Sequence, residues 1–519
     1  MKRLIPLLLT AVCACACRCP ASSEKSAEIQ TWGDQGNGTY INPILNADYS
    51  DPDVTRVGDT YYLVASDFHF MGMQILESKD LVNWKLVTQL FDRLDAPGYD
   101  TMQKYACGTW APSIRYHDGR FYVFVCTPTE GLYMMSAEKA EGPWTTPLLV
   151  HEGTGRGWED PCPFWDEDGQ AYLGRSNKGA GPIIIHRMSA DGTTLLDEGE
   201  VVYRGPVAEG TKIHKINGWY YISIPEGGVG GGWQTVLRSK DIYGPYERKV
   251  VLETGSTDVN GPHQGAMVDT PDGQWWFFHF QRTPTLGRVV HLQPMHWEED
   301  WPIIGVDIDR NGIGEPVYCW KMPVEGTTPS KPASSDDFNS TGLAPQWQFN
   351  HTPVDGAWSL SENPGTLTLH GLRADAFVLA RNTVTQKLMG YKGSATVRMD
   401  VSKIIEGQRC GLAVMSNRYD MIGVRRQDGR TELYYEGKSE VRDSVAFSGK
   451  AVWLKLDYDT NADDFHFSYS TNNRDFTVLG DSFQPRFGNW KGARPALYNY
   501  NVVEDGGTVC FDDFTMTFN

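Results

Sequence analysis

Three carboxylates stand at matching points of a sequence that repeats itself. Asp51 opens the segment DPDVTRVGDTYYLV, Asp160 opens DPCPFWDEDGQAYL and Glu209 opens EGTKIHKINGWYYI. Two more segments share the pattern without an acid at the start: APSIRYHDGRFYVF from Ala111 and HQGAMVDTPDGQWWFF from His263. Two or three carboxyl groups around one pit suit the hydrolysis of a glycosidic bond. One protonates the departing oxygen and another activates a water, and a gap of about 6.5–9.5 Å between them leaves room for that water. An isolated Asp-Pro more often just closes a turn. Its return at Asp160-Pro161, at the same place in the repeat, makes a shared position the better account. A Glu entering an apolar strand is costly to bury as an anion, which favours the protonated form a general acid needs; a salt bridge to a neighbouring Arg or Lys is the plainer alternative for Glu209. Asp53 shares a strand face with Asp51 but lies deeper, and reads as structural.

The elements that must bring these residues together are legible in the same repeats. Each copy is a short apolar strand, a turn on Gly, Asp-Gly or Asn-Gly, and an aromatic-rich second strand, which is a β-hairpin signature. The copies begin roughly 50 to 60 residues apart. Repeats of that length made only of strands predict a propeller with one four-stranded sheet per blade, here five blades. The first strand of each blade lines the axis, so the starts form a ring at one mouth. Trp110 and Trp158, each just before a repeat start, and Phe68 or Phe70 after the first hairpin are then candidate walls for stacking on a sugar, although half of them could equally be core between blades. His263 is either a satisfied core histidine, an axial metal ligand or a contact to the carboxylates. The run Gly227–Trp233 lacks the Lys and helix of a phosphate loop and reads as a mobile loop over the pit.

The chain has 519 residues, too many for one core. The propeller spans 36–325. Glu325–Ser335 (EGTTPSKPASS) is a linker, and 336–519 changes to long alternating strands such as Val452, Leu454, Leu456 and Tyr458, the pattern of a β-sandwich. The class is all-β. Net charge is −18, which argues against nucleic acid and anionic membranes and favours a neutral ligand. Residues 1–19 form a signal peptide, and no later run is long enough for a transmembrane span. That implies export, to the periplasm; Cys15 or Cys17 could instead carry a lipid anchor. The six cysteines beyond the leader are scattered without metal spacing, and one disulfide among them is open.

At these residues the chain resembles glycoside hydrolase family 43. The resemblance rests on NPIL at Asn42–Leu45, DPD at Asp51, WAPS at Trp110–Ser113, DP at Asp160, EG at Glu209, the His263 segment and LGR at Leu286–Arg288. It implies a five-bladed propeller followed by a concanavalin-like sandwich, and an inverting, exo-acting glycosidase. By that resemblance Asp51 is the general base, Glu209 the general acid, Asp160 the carboxylate that orients the acid and raises its pKa, and Arg288 a sugar contact beside the base. His263 would help hold a calcium ion largely through water; no other cofactor is implied. The partner is a neutral pentose-containing oligosaccharide or polysaccharide. The glycine-rich loop turns the expectation toward α-L-arabinofuranosyl groups on hemicellulose side chains. A β-D-xylosidase or endo-arabinanase of the same fold is the alternative, and a carbohydrate-binding propeller without catalysis the rival from another class.

Overall fold

The structure is a computed structural model, which describes residues 32–519 except 102, 103, 105, 154–156 and 489. The proposed signal peptide and both lipidation candidates lie outside the described residues. Among the described residues no helix is long and apolar enough to cross a membrane.

Five four-stranded antiparallel sheets follow one another in sequence order, and each pairs its strands in sequence order. Their innermost strands are Ser50–Val57, Trp110–His117, Trp158–Trp165, Lys212–Ile216 and Met267–Asp269. The turns are those the Gly dipeptides dictate. Asp118-Gly119 and Asn217-Gly218, for example, both take positive φ, as a tight hairpin requires.

Each blade enters the axis through the same irregularity. In the first blade Ser50 pairs with Ser66 and Asp53 with Val64, so two residues, Asp51 and Pro52, oppose one. The same bulge is made by Ala111-Pro112 and Asp160-Pro161. In blades 4 and 5 the backbone bonds around Glu209–Lys212 and His263–Ala266 leave Gly210-Thr211 and Gln264-Gly265 as the matching pairs. The first bulge residue has φ between 39° and 62° in all five: Asp51, Ala111, Asp160, Gly210 and Gln264. This left-handed conformation is the one glycine normally supplies in such bulges. Pro as the second residue costs nothing in three of them, because the bulged residue gives no ladder hydrogen bond. The register corrects the sequence-based frame. Glu209 and His263 do not share the position of Asp51 and Asp160 but sit one residue earlier, level with Ser50, Trp110 and Glu159.

The circle is closed by the chain before the first blade. Ile44 and Tyr49 donate to Val290 and Arg288 of the last blade's third strand, Gly287–Glu298. Asn42 Nδ2 donates to Leu292 O at 2.8 Å and its Oδ1 accepts from Leu292 N. This closure is what sets Arg288 beside Asp51, although 237 residues separate them in sequence.

The C-terminal part forms an eight-stranded and a seven-stranded sheet packed face to face. Val452, Leu454, Leu456 and Tyr458 are buried as their alternation predicts. In Phe465–Ser470 the alternation holds through Phe467 and then breaks: Ser468 and Ser470 are buried and Tyr469 only half-buried. One hydrophobic cluster runs without interruption from Tyr49, Leu63 and Trp84 in the propeller to Trp347, Leu367 and Phe511 in the sandwich. Polar contacts reinforce it. Gln74 and Gln89 donate to Pro345 O, and Asp67 pairs with Lys387 at 3.0 Å, both side chains being at most 4% exposed. Burial pushes the Asp67 carboxyl up, but Lys387 and Arg494 outweigh it and hold it below the usual range. The six described cysteines are free thiols.

Two outcomes follow for stability. Lys387→Met strands the buried Asp67 and should lower stability by about 3–5 kcal/mol. Lys79→Met, at the exposed pair with Asp59, should change it little. Denaturant unfolding of both variants checks the contrast. Removing 336–519 exposes the shared core and should leave the propeller insoluble; a soluble, folded propeller would show the core to be divisible.

Candidate active site

The bulges aim the first-strand side chains into the mouth of the axis, and the three sequence-predicted carboxylates do meet there. Asp51 is 4% exposed and firmly held. Its Oδ2 accepts from Ser66 Oγ at 2.6 Å and Ser50 Oγ at 2.9 Å, and its Oδ1 from Arg288 Nη1 at 2.9 Å. Arg288 is fixed in turn: its backbone N donates to Asp48 Oδ1, and Asp48 Oδ2 accepts from Gly492 N in the sandwich.

Glu209 is held more loosely. Its Oε1 lies 2.8 Å from His263 Nε2, and its side chain keeps 20% of its surface open. The salt bridge offered as the plainer reading of Glu209 is therefore a histidine contact. Asp160 lies behind it. Gly210 N donates to Asp160 Oδ2 at 2.6 Å and Gln264 Nε2 to Oδ1 at 3.0 Å, so Asp160 is tied to the residue after the glutamate and to the residue after the histidine.

One carboxyl was not anticipated. Oxygens of Glu159, Asp160 and Glu209 all lie within 4.8 Å of one another. Two ionised groups at that distance repel by ~3 kcal/mol at an effective dielectric of 20. Burial first, then Glu159 and Glu209, push Asp160 well above the usual carboxylate range. Burial likewise pushes Glu159 up to about 7, with Glu209 and Asp51 adding to it. The signal for Glu159 was present in the sequence: it precedes the bulge in blade 3, as Glu209 does in blade 4.

The aromatic candidates divide. Trp110 is half-buried at the rim and meets Phe68 edge-on at 5.9 Å; Phe68 is 2% exposed and backs it. Phe70 is no wall. It is fully buried between Tyr99 and His351, in the seam between propeller and sandwich. Trp158 is also unavailable for stacking, because His151 lies on its ring at 3.8 Å and the Arg175 guanidinium at 3.7 Å. The Gly227–Trp233 loop is pinned: Gly227 N donates to Pro206 O, and Trp233 Nε1 to the buried Glu226, which also binds Tyr203 and Thr235. The wall that sequence reasoning missed comes from the other domain. Trp490 meets Trp110 at 6.2 Å and lies under the Arg288 guanidinium at 5.5 Å. Nothing local marks it, since its place depends on the docking of the sandwich.

His263 gives Nε2 to Glu209, which leaves its buried Nδ1 as the ring nitrogen without a hydrogen-bond partner; calcium takes six to eight oxygens, so an ion there would be held through water. The layer below is occupied by basic groups. Lys212 Nζ crosses the axis to Ser113 Oγ at 2.8 Å and Pro112 O at 3.2 Å, and Arg115 pairs with Asp53 at 2.6 Å. Asp53 is thus a buried structural partner, as its depth suggested. Chemically, the pit offers a rigid carboxylate beside an arginine, a more open one beside a histidine, and a proton-retaining pair behind the latter. Two carboxyls in such different surroundings suit opposite roles in acid–base hydrolysis.

Residues 40–302 match the model of Glycosyl hydrolases family 43, and 335–517 match the Beta xylosidase C-terminal Concanavalin A-like domain. A "Putative beta-xylosidase" of Xylanibacter ruminicola is 53% identical over 89% of this chain and 86% of its own length. A "Beta-xylosidase" of Formosa agariphila is 37% identical over 96% and 94%. A "Non-reducing end alpha-L-arabinofuranosidase" of Bacteroides ovatus is 29% identical over 76% and 78%. Among solved structures, a bifunctional GH43-CE protein of Bacteroides eggerthii superposes with a TM-score of 0.81 at 30% identity over 92% of this chain; the chain spans 63% of that longer protein.

The contribution of the sandwich to the pit can be read from kinetics. Trp490→Ala removes one wall, including the ring under the Arg288 guanidinium, and leaves the hydrogen bonds of Asp51 and Glu209 in place. It should raise KM for aryl glycosides about tenfold or more, with a smaller change in kcat. A variant with an unchanged KM would place Trp490 outside the substrate's reach.

Proposed function

The chain belongs to glycoside hydrolase family 43, and on that basis we propose that it is an inverting, exo-acting β-D-xylosidase. The observation that carries the mechanism is the contrast between two carboxyls of one pit. Asp51 is clamped by two hydroxyls and Arg288, and suits a base that directs a water. Glu209 is open to the pit and backed by Asp160 and Glu159, which suits an acid that must keep its proton until the leaving oxygen takes it. In this reading the water attacks the anomeric carbon as Asp51 accepts its proton, and the bond to the leaving oxygen breaks as Glu209 donates. His263 orients Glu209. Exo action is supported by Trp110 and Trp490, which narrow the pit where an endo enzyme needs an open groove.

For the sugar, the α-L-arabinofuranosidase expected from the sequence gives way to the xylosidase. The relatives at 53% and 37% identity carry the xylosidase description, while the arabinofuranosidase description belongs to one at 29%. The glycine loop, anchored at its ends to Pro206 and Glu226, lends the arabinofuranosyl reading no further support. Export, read from residues 1–19, stays part of the proposal.

Asp51→Asn and Glu209→Gln should each lower kcat on xylobiose by a factor of about a hundred or more. With 4-nitrophenyl β-D-xyloside the Glu209→Gln loss should shrink, since that leaving group needs little protonation. Near-normal activity of Asp51→Asn would remove it as base. For the sugar, kcat/KM on the 4-nitrophenyl glycosides should favour the xyloside over the α-L-arabinofuranoside by tenfold or more, equivalent to about 1.4 kcal/mol. The reverse preference would restore the arabinofuranosidase.

A further inference from the structure

Glu159 has no step of its own in this reaction, yet it stands inside the surroundings of the acid. It is 8% exposed, and its Oε1 accepts from Ala180 N at 2.7 Å. It precedes the bulge of its blade, so its side chain enters the mouth at the level of Glu209. The groups that act on it are acids and backbone N–H groups: Glu209 and Asp51 on one side, Asp160 next in chain, Gly179 and Ala180 behind. The basic groups nearby have other partners. Arg175 is engaged by Trp158, His186 and Asn177, Arg288 by Asp51, and His263 by Glu209. Cys126 of the neighbouring blade is within electrostatic reach and is itself kept protonated by burial.

Resting on the reading of Glu209 as the acid, we propose that Glu159 is a positioning residue for the proton: when its carboxyl ionises, its charge holds the proton on Glu209 and extends the acid's working range toward alkaline pH. The cluster gives up its protons as a unit, so the first loss need not come from the acid. Burial pushes Glu159 up, and its oxygen lies within 4.8 Å of a Glu209 oxygen. While Glu159 keeps its proton, a glutamine in its place is electrostatically equivalent. Once that proton is lost, the native side chain is a carboxylate and the glutamine is not. The sign is therefore fixed. Glu159→Gln leaves the acid limb of the pH profile where it is and moves the alkaline limb to lower pH. A purely structural role would move both limbs or neither.

The experiment is the profile of kcat/KM from about pH 4.5 to 9 for native protein, Glu159→Gln, Glu159→Asp and Glu209→Gln. The substrate is xylobiose or, should the arabinofuranoside prove better, its methyl glycoside, because these leaving groups need the acid. The expected result is a coincident acid limb and an alkaline limb about half a pH unit or more lower in Glu159→Gln, with Glu159→Asp close to native. Coincident alkaline limbs overturn the proposal. If Glu159→Gln does not fold, infrared difference spectra of native protein between pH 6 and 8 decide: loss of a protonated-carboxyl band supports it, and no such band overturns it. If Glu209→Gln itself keeps native activity and limb, the acid assignment has failed rather than the role of Glu159.

Discussion

Every functional side chain in this protein depends on one backbone device, the bulge with which each blade's first strand enters the axis. Four of the five left-handed positions are held by residues other than glycine: Asp51, Ala111, Asp160 and Gln264. Each such position costs roughly 1–2 kcal/mol for an ordinary side chain, somewhat less for Asp. The return is that consecutive residues, which in a regular strand face opposite ways, can both serve the mouth. Glu159 and Asp160 both join the carboxyl cluster, and Ser50 bonds Asp51 while Asp51 meets Arg288. In blade 4 the bulge residue is a glycine, and its N–H is the donor that fixes Asp160.

Around that ring the electrostatics are arranged by what each acid is allowed to touch. Asp51 has an arginine and two hydroxyls; Glu209 has a histidine and two further carboxyls. Further along the first strands, Lys212 reaches from blade 4 to blade 2 and Asp53 pairs with Arg115. The sandwich takes part through Asp48, which binds Gly492 N with one oxygen and Arg288 N with the other. Docking of the second domain is thereby coupled to the arginine that holds Asp51, and the same loop delivers Trp490.

Much of this was legible in the sequence because it is written in repeats. Hairpin turns, aromatic second strands and the recurring Asp-Pro predicted the five blades and the convergence of Asp51, Asp160 and Glu209. The frame slipped by one residue in blades 4 and 5, because a bulge adds a residue without changing the apolar pattern around it. Glu159 was passed over for the same reason. Phe70 and Trp158 could not be told from pit walls, since whether an aromatic face is free depends on what stacks on it, here His351 and Tyr99 for one and His151 and Arg175 for the other. Trp490 and Lys212 owe their roles to contacts across domains or across the axis, which no local pattern records. The glycine run before Trp233 suggested a mobile loop, but its ends are anchored, Gly227 N to Pro206 O and Trp233 Nε1 to Glu226.

The central claim is that Asp51 directs a water at the anomeric carbon while Glu209 protonates the opposite side of the bond. It is tested most directly by proton NMR of the first minutes of hydrolysis of a β-D-xyloside. The account predicts that α-xylose appears first and the β anomer grows in only by mutarotation. Initial release of β-xylose would contradict it, because retention requires a covalent intermediate and a nucleophile in place of the water.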